Sequence, residues 1–116
     1  MMNGSVTKPW GYYEELLARV GYRVKRLVIA AGQRTSLQYH VYRREYWVVT
    51  EGDGHVIYGN AESGVFLAKG STWVVEKEMK HRLTAGDHGM TIVEVQVGEI
   101  CEESDIVRLE DDYGRV

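Results

Sequence analysis

Gly32-Gln33-Arg34-Thr35-Ser36-Leu37-Gln38-Tyr39-His40-Val41-Tyr42-Arg43-Arg44-Glu45-Tyr46-Trp47-Val48-Val49-Thr50-Glu51-Gly52 places Gln38, His40 and Glu45 between two glycines. Gln38 and His40 are two positions apart, so on a β-strand they project to the same face. If Arg43 and Arg44 form part of a turn, Glu45 begins the return strand of a hairpin, continuing through Tyr46-Trp47-Val48-Val49-Thr50. Glu45 can then face the same space. A side-chain carbonyl, an imidazole and a carboxylate converging in this way point to a metal site with hard or borderline ligands.

Outward from this stretch the chain reads as strands. Tyr22 to Ala31 alternates, with Val24, Arg26, Val28 and Ala30 on one face and Lys25, Leu27 and Ile29 on the other. Further strands are expected at 35–40, 46–51, 54–58, 65–68, 72–75, 81–85 and 90–97. The segments EGDG, GNAES, KG, KEMK and AGDHG separate them as turns. No long helical pattern occurs. Short strands every 8 to 12 residues or so imply an all-β sandwich or barrel. Residues 1–9 read as a loose arm. Trp10, Tyr12 and Tyr13 suit an apolar plug over one end of the core, and Glu14 to Val20 suits one helical turn. Glu94 and Gln96 share a strand face with Met90 and Ile92. Buried polar groups need partners, so this face lines either a polar cavity or solvent.

The 116 residues suit one domain, able to bury roughly two-thirds of its unfolded surface. Hydrophobic residues at 44% and charged residues at 27% describe a folded chain rather than a disordered one. The net charge of −3, with the basic residues scattered, argues against a nucleic-acid partner. Cys101 is the only cysteine, so no internal disulfide forms and a reducing, cytoplasmic setting is expected. The opening MMNGSVTKPWGYY lacks the apolar centre of a secretory signal. No apolar run approaches a membrane span, so no membrane partner is expected.

The spacing G-x5-Q-x-H-x4-E-x6-G resembles the first motif of the cupin superfamily, G-x5-H-x-H-x3-4-E-x6-G, with Gln38 for its first histidine. The second cupin motif, G-x5-P-x-G-x2-H-x3-N, is then looked for from Gly70. It puts Glu76 at the proline, Glu78 at the glycine, His81 at the histidine and Ala85 at the asparagine. The resemblance implies a double-stranded antiparallel β-barrel of the jelly-roll type. It also implies one divalent metal held by Gln38, His40, Glu45 and His81. Zinc is the first choice, with manganese, cobalt, iron and nickel also compatible. Ligand histidines must be neutral, so binding is expected to fade below about pH 6.

A closer resemblance covers nearly the whole chain. It is similar to the cupin domain of type II mannose-6-phosphate isomerases, often found fused behind a mannose-1-phosphate guanylyltransferase. The matching pieces are Lys8-Pro9-Trp10-Gly11-Tyr12-Tyr13, Val24-Lys25-Arg26, Ala31 to His40, Arg43-Arg44-Glu45-Tyr46-Trp47 and Val93-Glu94-Val95-Gln96-Val97-Gly98. The end of the chain matches through Asp105-Ile106-Val107-Arg108 and Asp111-Asp112-Tyr113-Gly114-Arg115. The chain departs from that family at Tyr46, which stands for a histidine, at Ala31 for proline, at Thr35 for leucine, and at Glu76 and Glu78.

Residues 1–116 are accordingly expected to form a single cupin domain, with 1–21 as an N-terminal arm packing on the barrel, 22–97 as the barrel and 98–116 as a C-terminal segment. The nucleotidyltransferase domain lies outside this sequence, so the implied activity is the isomerase alone, interconverting mannose 6-phosphate and fructose 6-phosphate. Such a reaction needs a base, a polarised carbonyl and a phosphate anchor. Arg43 shares the parity of Glu45 and suits a bidentate phosphate fork. Arg82, Lys25 and Gln96 are further substrate-binding candidates. Arg43, Glu94 and Lys25 are the candidates for catalysis, with His55 and His88 as other conceivable bases set in turns. The alternative is a metal-binding cupin that holds a sugar or another small anion without turning it over. A third reading is a structural barrel in which Gln38, His40 and His81 satisfy core hydrogen bonds. The expected partners are a sugar phosphate and, through exposed strand edges, a second copy in a homodimer.

Overall fold

In a computed structural model that describes residues 4–116, the chain forms antiparallel strands throughout. The strands are β1 (Ser5–Lys8), β2 (Gly11–Arg19), β3 (Tyr22–Ile29), β4 (Leu37–Tyr39), β5 (Arg43–Tyr58), β6 (Val65–Ala68), β7 (Thr72–Val75), β8 (His81–Gly98) and β9 (Val107–Glu110). No helix among the described residues is long and apolar enough to cross a membrane.

Two long strands, β5 and β8, organise the barrel. They pair along almost their full lengths, from Arg43 opposite Gly98 to Tyr58 opposite His81. The ribbon they form bends where the register shifts, between Val49 and Glu51 and between Gly52 and Gly54. Beyond the bend, one half of the ribbon carries β3, β2, β1 and β7, and the other carries β4, β9 and β6. The bend requires glycine. Gly52 has φ +70°, and a Cβ on it would stand 2.1 Å from the carbonyl oxygen of Gly89. A bulge of this kind turns a sheet corner without ending the strand. The expected turns at EGDG and AGDHG are therefore corners inside continuous strands, which corrects the four short strands read there.

Two further expectations are corrected. Glu14 to Arg19 is extended and paired with β3, not helical. Its bulge between Glu15 and Leu17 breaks the alternation that would have marked it as a strand. Arg43 and Arg44 are not in a turn. They open β5 after a bend at Val41 and Tyr42, and β4 pairs with β8 and β9 rather than β5, so the expected hairpin does not form. Of the expected loose arm, residues 1–3 lie outside the described residues, and Ser5–Lys8 is a strand paired with β2.

The barrel interior changes character along its length. At one end, Ile29, Val49, Val56, Leu83, Met90 and Ile92 are each buried to 2% exposure or less and form the apolar core. Toward the other end the inward positions of three adjacent strands turn polar together. Register aligns Lys25 with Glu94, and Glu45 with Gln96. All four are buried. The apolar half supplies the hydrophobic stabilisation, and the polar half lines a cavity.

Candidate metal centre

Three strand ends bring the ligand set together. Gln38 lies on β4, directly opposite His81 at the start of β8. His40 follows one residue past the end of β4, and Glu45 is the third residue of β5. The ligand atoms of His40, Glu45 and His81 lie within 4.8 Å of one another, and all three residues are buried.

The hydrogen bonds at this site set the tautomers. His40 Nδ1 is 2.6 Å from the carbonyl oxygen of Asp105, and His81 Nδ1 is 3.0 Å from that of Met79. A carbonyl only accepts, so both Nδ1 atoms carry the proton. In its neutral form each ring then presents an Nε2 lone pair inward. Both Nε2 atoms are buried without a hydrogen-bond partner, and His40 Nε2 stands 3.1 Å from Glu45 Oε2. Orphaned buried acceptors facing a carboxylate repel one another unless a cation lies among them. The residues present therefore fit a metal ion, with carbonyls fixing the ring orientation as outer-shell partners do at histidine metal sites.

Glu45 is held from the other side. Arg43 Nε donates to its Oε2 at 2.9 Å and Trp47 Nε1 donates to its Oε1 at 3.2 Å. Burial would raise the Glu45 carboxyl, but the positive charges of His40, when protonated, of Arg43 and of His81, when protonated, outweigh it and pull the group down to about 2. Burial lowers His81 to about 4, with Glu45 opposing. Burial, and then the charge of Glu45, pushes Glu94 up to about 8, where the carboxyl is mostly protonated near neutrality. Gln96 Nε2 donates to Glu94 Oε1 at 2.6 Å, leaving Gln96 Oε1 buried and unpartnered. Glu94 and Gln96 thus face the cavity, not solvent.

The cavity measures about 60 Å³ and is lined by Lys25, Gln38, His40, Arg43, Glu45, His81, Glu94 and Gln96 among others. All the expected site residues meet there except Arg82. Arg82 lies on the face opposite His81. Its Nε donates to the Thr35 carbonyl at 3.0 Å, and its Nη2 donates to the Glu110 carbonyl at 3.2 Å, tying β9 to the barrel. Arg43 is within the cavity wall, but Nε serves Glu45 and Nη1 donates to the Glu102 carbonyl at 2.8 Å. Gln38 Oε1 accepts from Ser36 Oγ at 2.9 Å. Tyr46 points outward, 38% exposed, so its replacement of the family histidine does not touch the cavity. His55 stacks edge-on with Phe66, and His88 is exposed in the β8 corner.

Several site residues went unread in the sequence. Asp105 accepts from the backbone N–H groups of Val41 and Tyr42 at 3.0 Å each, and its carbonyl orients His40. Lys8, Tyr13, Glu103, Arg108 and Arg115 line the cavity mouth. The only sequence signal of Lys8, Tyr13, Arg108 and Arg115 is membership of the Lys8–Tyr13 and Asp105–Arg115 motifs, and Glu103 belongs to neither.

The profile of the family described as Mannose-6-phosphate isomerase C-terminal matches residues 1–111. The Salmonella typhimurium protein named Mannose-1-phosphate guanylyltransferase ManC is 35% identical over 99% of this chain and 24% of its own length. The Xanthomonas campestris Xanthan biosynthesis protein XanB is 36% identical over 95% of this chain and 23% of its own. The Pseudomonas aeruginosa Alginate biosynthesis protein AlgA is 34% identical over the same shares. The chain spans about a quarter of the length of these curated relatives. Oxalate decarboxylase from Bacillus subtilis, a protein with Mn(II) centres, superposes with a TM-score of 0.80 at 16% identity over 91% of this chain and 30% of its own. A Klebsiella pneumoniae protein with a double-stranded β-helix domain superposes at 0.73, with 15% identity over 94% and 87%. These likenesses establish the cupin barrel. The relatives also correct the expected activity. They are named for guanylyl transfer and polysaccharide biosynthesis, not for the interconversion of mannose 6-phosphate and fructose 6-phosphate.

Proposed function

This chain belongs to the mannose-6-phosphate isomerase C-terminal family, and from that membership we propose that it serves a mannose-1-phosphate guanylyltransferase role as the domain that holds a divalent metal ion and a sugar phosphate. The observation that carries this reading is the pair of orphaned Nε2 atoms of His40 and His81 facing the Glu45 carboxylate. These three residues would hold the ion, with Gln38 as a fourth, neutral donor. The ion would supply Lewis acidity toward sugar oxygens. Zinc suits the imidazole and carboxylate set, and manganese, cobalt, iron and nickel share it.

The chain's own residues suit a polyhydroxylated, anionic ligand. Gln96 Oε1 is an acceptor without a partner, and Glu94, protonated near neutrality, is a donor. Lys25 supplies positive charge, and Arg43 positions Glu45. Size separates the ligand classes: about 60 Å³ admits a phosphate or one edge of a sugar beside the ion, with the remainder in the mouth, but no nucleotide. Metal analysis and calorimetry test this. Metal-loaded protein should bind mannose 1-phosphate, lose that binding on chelation and fail to bind GTP. Failure to bind mannose 1-phosphate, or binding indifferent to metal, overturns the reading.

We propose that the chain pairs as a homodimer through the outer face of its larger sheet. Across one row of register this face presents Leu17, Val24, Val95, Tyr46 and Val74, with Val48 and Val93 in the next row. A sheet with one solvated face alternates apolar-in and polar-out; here Glu94 and Gln96 point in while Val93, Val95 and Val97 point out. The flanking pairs Arg26–Glu14 and Arg44–Glu76 carry both signs, so a twofold-related copy meets opposite charge. Light scattering should give twice 13.2 kDa, and Val95→Lys should give the monomer. A monomeric wild type contradicts the pairing. A cytoplasmic setting follows as a proposal from the single, buried Cys101.

A further inference from the structure

Glu103 sits on the turn that leads into β9, at the cavity mouth, with its carboxylate between two lysines. Its Oε1 stands 3.6 Å from Lys8 Nζ and 4.0 Å from Lys25 Nζ. Lys25 is buried, 3% exposed, and its ammonium lies 4.4 Å above the Tyr13 ring; Lys8 lies 5.9 Å from the same ring. A buried ammonium requires a counter-charge. The one Glu103 offers is loose toward the lysines, because both separations exceed hydrogen-bond length, and Glu103 also faces the Tyr13 phenol. Its side chain is 40% exposed and belongs to a turn, so it can swing outward without breaking a strand pairing.

We propose that Lys8, Lys25 and Tyr13 form an anion subsite for the phosphate of a sugar phosphate whose hydroxyls face the metal centre, and that Glu103 is the resident carboxylate this phosphate displaces. Both ammonium groups lie within 4.0 Å of Glu103 Oε1, and the Tyr13 phenol O–H interacts with the same carboxylate. A tetrahedral oxyanion offers an oxygen to each, whereas Glu103 offers one oxygen to both lysines at long range. The Tyr13 phenol is pushed up to about 12 by burial and by Glu103, so it remains a donor at neutral pH. Glu103 keeps Lys25 paired in the empty pocket and sets a threshold that a singly charged or neutral sugar does not pass. This assignment rests on the sugar-phosphate reading above and adds the place of the phosphate.

Calorimetry of the metal-loaded protein with inorganic phosphate, mannose 1-phosphate and mannose tests the subsite. Glu103→Gln should bind both phosphate compounds about tenfold more tightly and leave mannose unchanged. Lys8→Gln, at a partly exposed position, should weaken both phosphate compounds about tenfold, with metal content unaltered. Unchanged or weaker phosphate binding in Glu103→Gln, or an equal gain for mannose, overturns the subsite. If mannose 1-phosphate binds in a metal-dependent way but neither variant alters it, the subsite falls and the domain's proposed function stands. If inorganic phosphate binds with the Glu103→Gln gain but mannose 1-phosphate does not bind, the subsite stands and the sugar-phosphate reading falls.

Discussion

His40 Nε2 and Glu45 Oε2 face each other at 3.1 Å, and in the neutral form of the ring, whose single proton is committed to the Asp105 carbonyl through Nδ1, no hydrogen bond joins them. Two acceptors are thus pressed together in the barrel interior. Arg43 and Trp47 hold the carboxylate in place, so the pair cannot relax apart by rotation of Glu45. A cation between them relieves the repulsion and converts a destabilising contact into a ligand field.

Zinc should stabilise the fold by mass action. At free zinc a hundredfold above its dissociation constant, the gain in unfolding free energy should be about 2.7 kcal/mol. In His81→Ala the gain should fall below about a third of that, and the purified variant should carry little metal. Urea unfolding with and without zinc checks it. Equal stabilisation of wild type and variant would place the metal elsewhere.

The pH profile of the metal-free protein should fall on both sides. His81 is held neutral down to about 4, below its ordinary value of about 6.5. The unfolded chain therefore binds the extra proton first, and stability is lost as pH falls from about 6.5 toward 4. Glu45 adds a further loss between about 4.5 and 2. Glu94 acts in the opposite direction. Its carboxyl is raised to about 8, so its contribution is complete below about 4.5 and is lost as pH climbs to 8. Glu94→Gln should remove the alkaline decline and leave the acid side alone. Parallel profiles for wild type and variant would contradict the assignment. Because His81 is already neutral at pH 5, metal should be retained to more acidic pH than the value near 6 expected of an unperturbed histidine.

Glu78→Gly should stabilise the protein by about 1 kcal/mol or less. Glu78 has φ 64° and is the only non-glycine in the left-handed region among the described residues. That conformation costs a side-chain-bearing residue about 1–2 kcal/mol, partly offset by the greater unfolded freedom of glycine. The backbone N–H of Glu78 donates to the His40 carbonyl at 2.7 Å, so relief of strain there should preserve the metal site. Thermal unfolding measures the change, and a lower midpoint would show that the Glu78 side chain compensates its backbone.

Tyr46→His should leave metal content and mannose 1-phosphate affinity unchanged. The Tyr46 hydroxyl accepts from Arg44 Nη1 at 3.3 Å on the outer face, on the side of the strand opposite Glu45. Calorimetry on the variant reads this directly. A change in affinity beyond about threefold, or about 0.6 kcal/mol, would mean that position 46 communicates with the cavity.

Strand parity made the barrel legible, and with it the convergence of Gln38, His40 and Glu45 on one cavity. Gln38 and His40, Arg43 and Glu45, and Glu94 and Gln96 are spaced by two, and each pair faces one cavity. What parity does not carry is whether a glycine cluster reverses the chain. Gly52 and Gly89 look like turn residues, yet they meet each other across a bulge in two continuous strands. Arg43 looked like a turn residue because its neighbours are polar. It is buried because it binds Glu45 and the Glu102 carbonyl, the latter contributed by a segment far along the chain. Asp105 and Glu103 were opaque for the same reason, since their partners Val41, Tyr42, Lys8 and Lys25 lie far along the chain.

Anomalous diffraction at the zinc edge from zinc-loaded crystals tests the central claim most directly. A single principal peak should lie about 2.0–2.2 Å from His40 Nε2, His81 Nε2 and a Glu45 carboxylate oxygen. A principal peak away from these three residues, or no ordered zinc between them at saturating metal, would contradict the metal centre.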